Sequence, residues 1–439
     1  MTDNTTGNAD HSSGKARHPP RLHAVNAIRV IGEYFVVRHH ILQPRLEKGE
    51  YNENASGPIG VDIMSFFFVL SGFVLMHSFE REDFSTFQAK TRFVMDRISK
   101  LYPIFLLNWL FSIPKKFIDP SPLEQTCWAH KLCPILQLVM LDSWFGCGFN
   151  FIFVGVSWFL SCLFWMWVLF PFIKDILVHR LFHSPQNIWI KLFVVNLLWS
   201  SACVLLWGYD IYTLSPFPPL RLGEFLIGCG AALAPESPFF ATNRRYWIPF
   251  LLVILLYNLQ RVNHGMTWLC IHENAAHTGC SIWHWGQDKL EHIQTPCITF
   301  LEKIVNKYAL VWACLIHGVA RDELRYLATH VTTPSTPKHW TLRVLHADIF
   351  KTLSKFSPTL YMSHLSMYFA VIFLGQYLMG WTKNKWRDDT LLFVVYLACY
   401  SLQNALICIL DRLSQLYSHQ STRKGGEDHE PLVVNDTRV

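Results

Sequence analysis

Charge is scarce in this 439-residue chain. Asp, Glu, Lys and Arg make up 16% of it, against roughly 25% in soluble globular proteins. Hydrophobic residues fill 51% and aromatics 15%, much of it in long apolar runs, so the expected class is a polytopic membrane protein and not a soluble enzyme. The net charge of +6 is too small an excess for a nucleic-acid surface, and no nucleic-acid partner is expected. Met1 to Arg21 is polar and has no apolar core, so no cleavable signal is expected. No internal repeat is visible. Histidine and cysteine number 21 and 12, yet nowhere do they fall into a zinc spacing, and no metal is expected.

What is present begins with residues 24–42, AVNAIRVIGEYFVVRHHIL. Nineteen residues rise about 28 Å, close to the hydrocarbon thickness of a bilayer. A plain anchor would be apolar throughout, but this stretch carries Arg29, Glu33, Arg38, His39 and His40. From Arg29 to His40 the helix turns through about 1100°, leaving the two side chains only about 20° apart and roughly 16 Å apart along the axis. Arg29, Glu33, Val36 and His40 therefore form one stripe. Snorkelling accounts for Arg38 and for Arg29 near a membrane face. It does not account for Glu33 and His40 on the arginine's side, and ionisable groups at membrane depth point to function.

Ten spans are expected, at about 24–43, 59–79, 98–118, 153–173, 189–208, 219–234, 246–259, 304–320, 356–380 and 391–411. The fold class is thus all-α, a multi-pass helix bundle. Disordered cytosolic tails are expected at 1–23 and 414–439, around one membrane domain at 24–413. The Lys/Arg bias of the loops puts both termini in the cytosol. The loop at 209–218 has no Lys or Arg, whereas Lys383, Lys385 and Arg387 run against the rule. Asn54-Ala55-Ser56 is a glycosylation triplet in an outside loop. Outside cysteines such as Cys127 and Cys133 are candidates for an oxidised pair, although a free buried thiol is the commoner state of any one cysteine.

Further motifs follow in order. GVDIMSFFFVLSGFVLM holds a phenylalanine cluster before Leu70-Ser71-Gly72-Phe73, where the small residues allow close helix approach. Arg92, Arg97 and Lys100 precede Leu101-Tyr102-Pro103, and on physics alone they form a positive-inside flank. Trp158-Phe159-Leu160-Ser161 opens the fourth span. Arg221 and Glu224, three apart before Phe225-Leu226-Ile227-Gly228, can pair on one helix face. Ser357-Pro358-Thr359-Leu360-Tyr361-Met362-Ser363-His364 stands in the ninth span. His317 is an intramembrane histidine without an assignment. The His-rich stretch 261–294 suggests a loop that shapes an entrance.

Taken together, these ordered motifs resemble the acyltransferase-3 family of integral-membrane O-acyltransferases, whose bacterial members acylate surface sugars. The resemblance implies an acyl-CoA donor, with acetyl-CoA the expected one, no bound cofactor, and a carbohydrate or lipid acceptor. It also implies catalytic roles for His40, Arg29 and Glu33. Substrate-binding roles go to Arg97, Lys100, Trp158, Ser161, Arg221, Glu224 and His364. The chain departs from the family at Cys162 and Leu163, where an acidic residue is common after Ser161, and at Lys100, where arginine is common. Acyl transfer to a hydroxyl needs a base and positive charge near developing oxyanions. His40 is the expected base, and Arg29 the expected partner of the donor's phosphates. The competing readings are a transporter built on the same charges and a catalytically silent scaffold. Expected localisation is the plasma membrane or an endomembrane. The sequence specifies neither the acceptor nor the oligomeric state.

Overall fold

The computed structural model describes residues 19–46, 59–118, 128–144, 156–184, 187–207, 217–235, 307–329, 340–379, 393–402, 404, 405 and 412. Among them the fold is all-helical, with no strand. In chain order the helices are α1 (His23–Leu46), α2 (Ile59–Phe79), α3 (Phe87–Ile118), α4 (Trp128–Leu138), α5 (Ser157–Ile176), α6 (Ile188–Trp207), α7 (Pro218–Leu233), α8 (Lys307–Thr329), α9 (Trp340–Leu345) and α10 (Asp348–Met379). A helical stretch at Phe393–Leu402 is α11. A 3₁₀ turn, Asp142–Trp144, precedes α5, and a π turn, Leu177–Leu181, extends it.

Nine of the described helices coincide with expected spans, but their boundaries shift for physical reasons. α3 begins at Phe87 rather than near 98, because Phe87 to Arg97 already continues the helix with Phe93 buried on its inner side. α10 begins at Asp348 and carries Pro358 in its interior. α4 and α9 are helices where only loop was expected. The span at 246–259, the glycosylation triplet, the histidine-rich stretch 261–294, residues 1–18 and residues 413–439 lie outside the described residues. By length and composition, one described helix, Ser157–Leu181, is long and apolar enough to cross a membrane; Ile63–Phe79, Ile188–Trp199 and Phe393–Leu402 are shorter apolar helices. Among the described residues, then, one of the expected spans meets that measure. α1, α3 and α8 carry several charged residues along their length and α7 is short, whereas the charges of α10, Asp348, Lys351 and Lys355, stand only in its first turns.

Two close approaches hold the bundle together. α2 and α7 cross at Gly72 and Gly228, where a methyl on Gly72 would run into the Phe225 carbonyl and one on Gly228 into the Val69 carbonyl. Only glycine lets two backbones meet this closely. Around the crossing, Phe66, Phe68, Met76, Phe225 and Ile227 are fully buried. The second approach fixes the start of α1. Glu323 of α8 accepts the His23 N–H at 2.6 Å and the Ala24 N–H at 2.9 Å, capping unsatisfied amides and opposing the positive end of the helix dipole. His346 Nε2 lies 3.1 Å from the same carboxylate.

Cys133 of α4 is buried and disulfide-bonded, the oxidised state for which the outside cysteines were candidates and not the commoner free thiol. Cys162, Cys229, Cys314 and Cys399 are thiols outside any disulfide.

Gly72→Ala should destabilise the protein by about 1–3 kcal/mol, as overpacking does. Gly32→Ala should cost less, because its methyl would meet the edge of the Phe66 ring, a side chain that can move. Thermal midpoints of the two variants in detergent check this; equal midpoints would mean that α2 and α7 separate freely.

Candidate active site

The stripe on α1 meets a matching stripe on α10. Arg29, Glu33 and His40 pair with Ser354, Ser357 and His364, partners 325, 324 and 324 positions away. The near-constant offset makes the helices parallel and in register. From Glu33 to His40 and from Ser357 to His364 is seven residues each, about two turns, so both sets stay on one face.

Each contact has a local cause. Pro358 has no N–H, so the Ser354 carbonyl one turn earlier loses its helical donor. The Arg29 Nη2 donates to that carbonyl at 3.1 Å. Arg29 Nε is buried without a partner among the described residues, which leaves one edge of the guanidinium unsatisfied. Glu33 is buried, accepts a hydrogen bond from the Ser357 hydroxyl, and has its second oxygen unpartnered. His40 Nδ1 is 2.8 Å from His364 Nε2, with the ring planes 16° apart. His364 is fully buried, and its Nδ1 lies 2.8 Å from the Tyr361 carbonyl and 3.2 Å from that of Leu360.

A cavity of about 670 Å³ opens beside this seam, between α1, α2, α3, α5 and α10. Arg29, Glu33, Arg92, Arg97, Lys100 and Ser357 belong to its polar lining, together with the acids Glu82 and Asp96, and phenylalanines and leucines supply much of the rest. Its size is that of a small-molecule site. Arg97 is held in place, its guanidinium 3.6 Å from the Phe93 ring centre and 4.5 Å from that of Phe79, with Nη1 donating to the Phe93 carbonyl at 2.9 Å. Lys100 is exposed. Near the rim, buried Lys174 donates to the carbonyls of Glu80 and Glu82 and fixes the turn between α2 and α3. His40 and His364 are not among the cavity's lining residues. Tyr361 is, and its ring centre is 6.1 Å from that of His364.

The remaining expected residues assemble elsewhere, on α5 and α7. Arg221 donates from Nη1 to both oxygens of Glu224, at 2.9 and 3.0 Å, with both side chains buried. The Arg221 guanidinium lies 5.9 Å from the Trp158 ring and 5.3 Å from that of Phe68. Ser161 donates to the Met140 carbonyl at 2.8 Å and sits 2.5 Å from the Ser143 hydroxyl. The structure therefore brings Trp158, Arg221 and Glu224 together, with Ser161 tied to the turn before α5. None of the four lines the Arg29 cavity. His317 joins α8 to α7, donating from Nδ1 to the Ala231 carbonyl at 2.9 Å.

Sequence reasoning missed Asp142. It is fully buried on the 3₁₀ turn and accepts from Ser157 at 2.6 Å, while Gln137 donates to Ser157 at 3.1 Å. A carboxylate thus stands beside the Trp158–Ser161 motif, supplied from before α5 and not from the position after Ser161. The available signal was an aspartate between Met140-Leu141 and Trp144, an acid in apolar company. Burial pushes its pKa up to about 6, more than the serine hydrogen bonds pull it down.

Over 192 residues the chain is 29% identical to acyltransferase MdmB of Streptomyces mycarofaciens, a stretch covering 40% of this chain and 46% of that protein. The chain thus spans less than half the length of the curated relative it matches. No protein-family profile and no solved structure matches it. Similarity to an acyltransferase is what these comparisons establish.

Because the folded pKa of Asp142 is raised from 3.8 to about 6, the fold binds the proton more tightly than the unfolded chain does. Its contribution to stability is full below about pH 4 and falls as pH rises through about 6, by on the order of 2 kcal/mol. Asp142→Asn keeps an acceptor for Ser157 but cannot ionise. The wild-type-minus-variant difference in thermal midpoint should therefore drop between pH 4 and pH 7, and a difference independent of pH would contradict the assignment.

Proposed function

We propose that the chain is a membrane-embedded O-acyltransferase that moves an acyl group, acetyl in the simplest case, from acyl-CoA to a hydroxyl of a carbohydrate or lipid. The observation that carries this reading is the Arg29 cavity. It joins an unsatisfied guanidinium edge and further basic side chains to an apolar interior, beside the half-buried His40 and the buried His364. Anionic phosphates match the basic end, and a slender pantetheine arm matches the apolar part. The acyltransferase similarity and the five ordered motifs point the same way.

In this reading the chain crosses the membrane ten times with both termini cytosolic. Support comes from exposed apolar faces such as Ile190, Phe193, Val194 and Leu198 on α6, which suit lipid better than water. The parallel pairing of α1 and α10 agrees with a first and ninth span that point the same way. The disulfide at Cys133 fits an outward, oxidising side for the segment after α3. Donor phosphates then enter at Arg29, Arg97 and Lys100 from the cytosol, and the acceptor arrives from the other side.

The chemistry balances as follows. The acceptor oxygen attacks the thioester carbonyl while its proton passes to His40. The carbon–sulfur bond then breaks, and the leaving thiolate takes the proton from the His40 imidazolium. Glu33 and Ser357 fix the seam that carries both ends of this path. Arg221, Glu224, Trp158 and Ser161 lie off the Arg29 cavity and suit the acceptor side or the frame.

Purified protein in vesicles, given labelled acetyl-CoA and a cell extract, should produce acceptors heavier by one acetyl group. His40→Ala should lower that rate at least about hundredfold while the protein still folds and reaches the membrane at an unchanged level. Solute flux with no covalent change would replace this reading with a transporter. Arg29→Lys keeps the charge but loses the planar fork, and should raise the KM for acetyl-CoA roughly tenfold with kcat little altered.

A further inference from the structure

The hydrogen bonds around His364 fix a tautomer, and that choice propagates to His40. A carbonyl oxygen only accepts. His364 Nδ1 lies 2.8 Å from the Tyr361 carbonyl and 3.2 Å from the Leu360 carbonyl, so this nitrogen carries the hydrogen and donates it to the helix's own backbone. In the neutral ring Nε2 is then a bare lone pair. That lone pair is 2.8 Å from His40 Nδ1, which must be the donor. Neutral His40 is thereby left with its lone pair on Nε2, the nitrogen turned away from His364.

We propose that His364 is a positioning residue: its Nε2 holds His40 as the Nδ1–H tautomer and so selects His40 Nε2 as the atom that takes the acceptor hydroxyl's proton. This rests on the acyl-transfer reading for the identity of the proton, but not for the tautomer. It also moves His364 from the substrate-binding role expected of it to a role exerted through His40. Once Nε2 has taken the proton, the Nδ1–H of the His40 imidazolium still points at the His364 lone pair, and the hydrogen bond becomes charge-assisted and stronger. The arrangement does for His40 what a carboxylate does behind the imidazole of a hydrolase triad, orienting it and fixing its tautomer, with no second charge placed at membrane depth. His39 cannot share this role. Its ring centre lies 5.6 Å from that of His40, and its own Nδ1 is buried without a partner among the described residues.

Two measurements test the proposal. In the full chain labelled with ¹⁵N in the histidine rings and reconstituted in vesicles, solid-state NMR should find His40 and His364 both protonated at Nδ1 and bare at Nε2. Variants His40→Gln and His364→Gln assign the signals. A bare Nδ1 on His40, or a cationic His364, would overturn it. In the transfer assay His364→Gln, whose amide oxygen still accepts from His40, should keep kcat within about tenfold of wild type. His364→Leu should fall about hundredfold or more, with the KM for acetyl-CoA unchanged within about threefold in both. Equal losses in the two variants would reduce His364 to a packing residue and refute the proposal. The tautomer is read without turnover, so a wild-type chain that transfers no label would sink the acyl-transfer reading while the NMR result still decides the tautomer.

Discussion

The site depends on a parallel, in-register seam between two helices more than three hundred residues apart in sequence. α1 brings a guanidinium, a carboxyl and an imidazole at spacings of four and seven. α10 answers with a freed carbonyl, a hydroxyl and a second imidazole at spacings of three and seven. A polar group buried in such a place without a partner would be costly. Each of these has one, and the seam fixes both helix rotation and register. A slide of one residue along either helix would unpair all three at once. Pro358 is the least replaceable part of this device, because it creates the acceptor that Arg29 uses.

The rest of the bundle supports that seam. Glu323 pins the first turn of α1 through two backbone amides, so the stripe starts from a fixed height. The Gly72–Gly228 crossing brings α2 against α7 with no side chain between them. The phenylalanines of α2, displaced from that crossing, fill the core toward α5, α8 and α10, where Phe66 meets Trp312 and Phe67 meets Phe159 and Tyr361. The wall of the cavity is therefore aromatic because the opposite side of α2 is bare backbone.

Much of this was legible in the sequence, and what was not has a common cause. Periodicity put Arg29, Glu33 and His40 on one face, since that is a property of one helix. The same arithmetic relates Ser357 to His364. Nothing in either helix alone says that the two stripes face each other, or that Ser354 belongs to the set. That requires seeing that Pro358 strips its carbonyl of a donor and that an arginine stands opposite. Asp142 escaped because it lies on a turn, where periodicity carries no information. The charge count that makes α1 look unlike a membrane helix has the same origin: Arg29 and Glu33 are turned to α10 and to the cavity, and a composition measure cannot tell a paired arginine from a solvated one.

On the acyl-transfer reading, the separation between Arg29 and His40 becomes an argument in itself. About 16 Å along α1 is too far for one small group to touch both, so a substrate engaging both must be long, anionic at one end and reactive at the other. Ser357, Pro358, Tyr361 and His364 follow one another at helical spacing along α10, beside that interval. The first three line the cavity, and the fourth orients the base. Tyr361 is where the two meet, facing the cavity while its ring sits 6.1 Å from that of His364. A donor seated on Arg29 would run its arm along this row, and its thioester would approach His40 past the tyrosine ring. A compact solute has no use for such a layout, whereas a nucleotide-tagged acyl chain has use for each part of it.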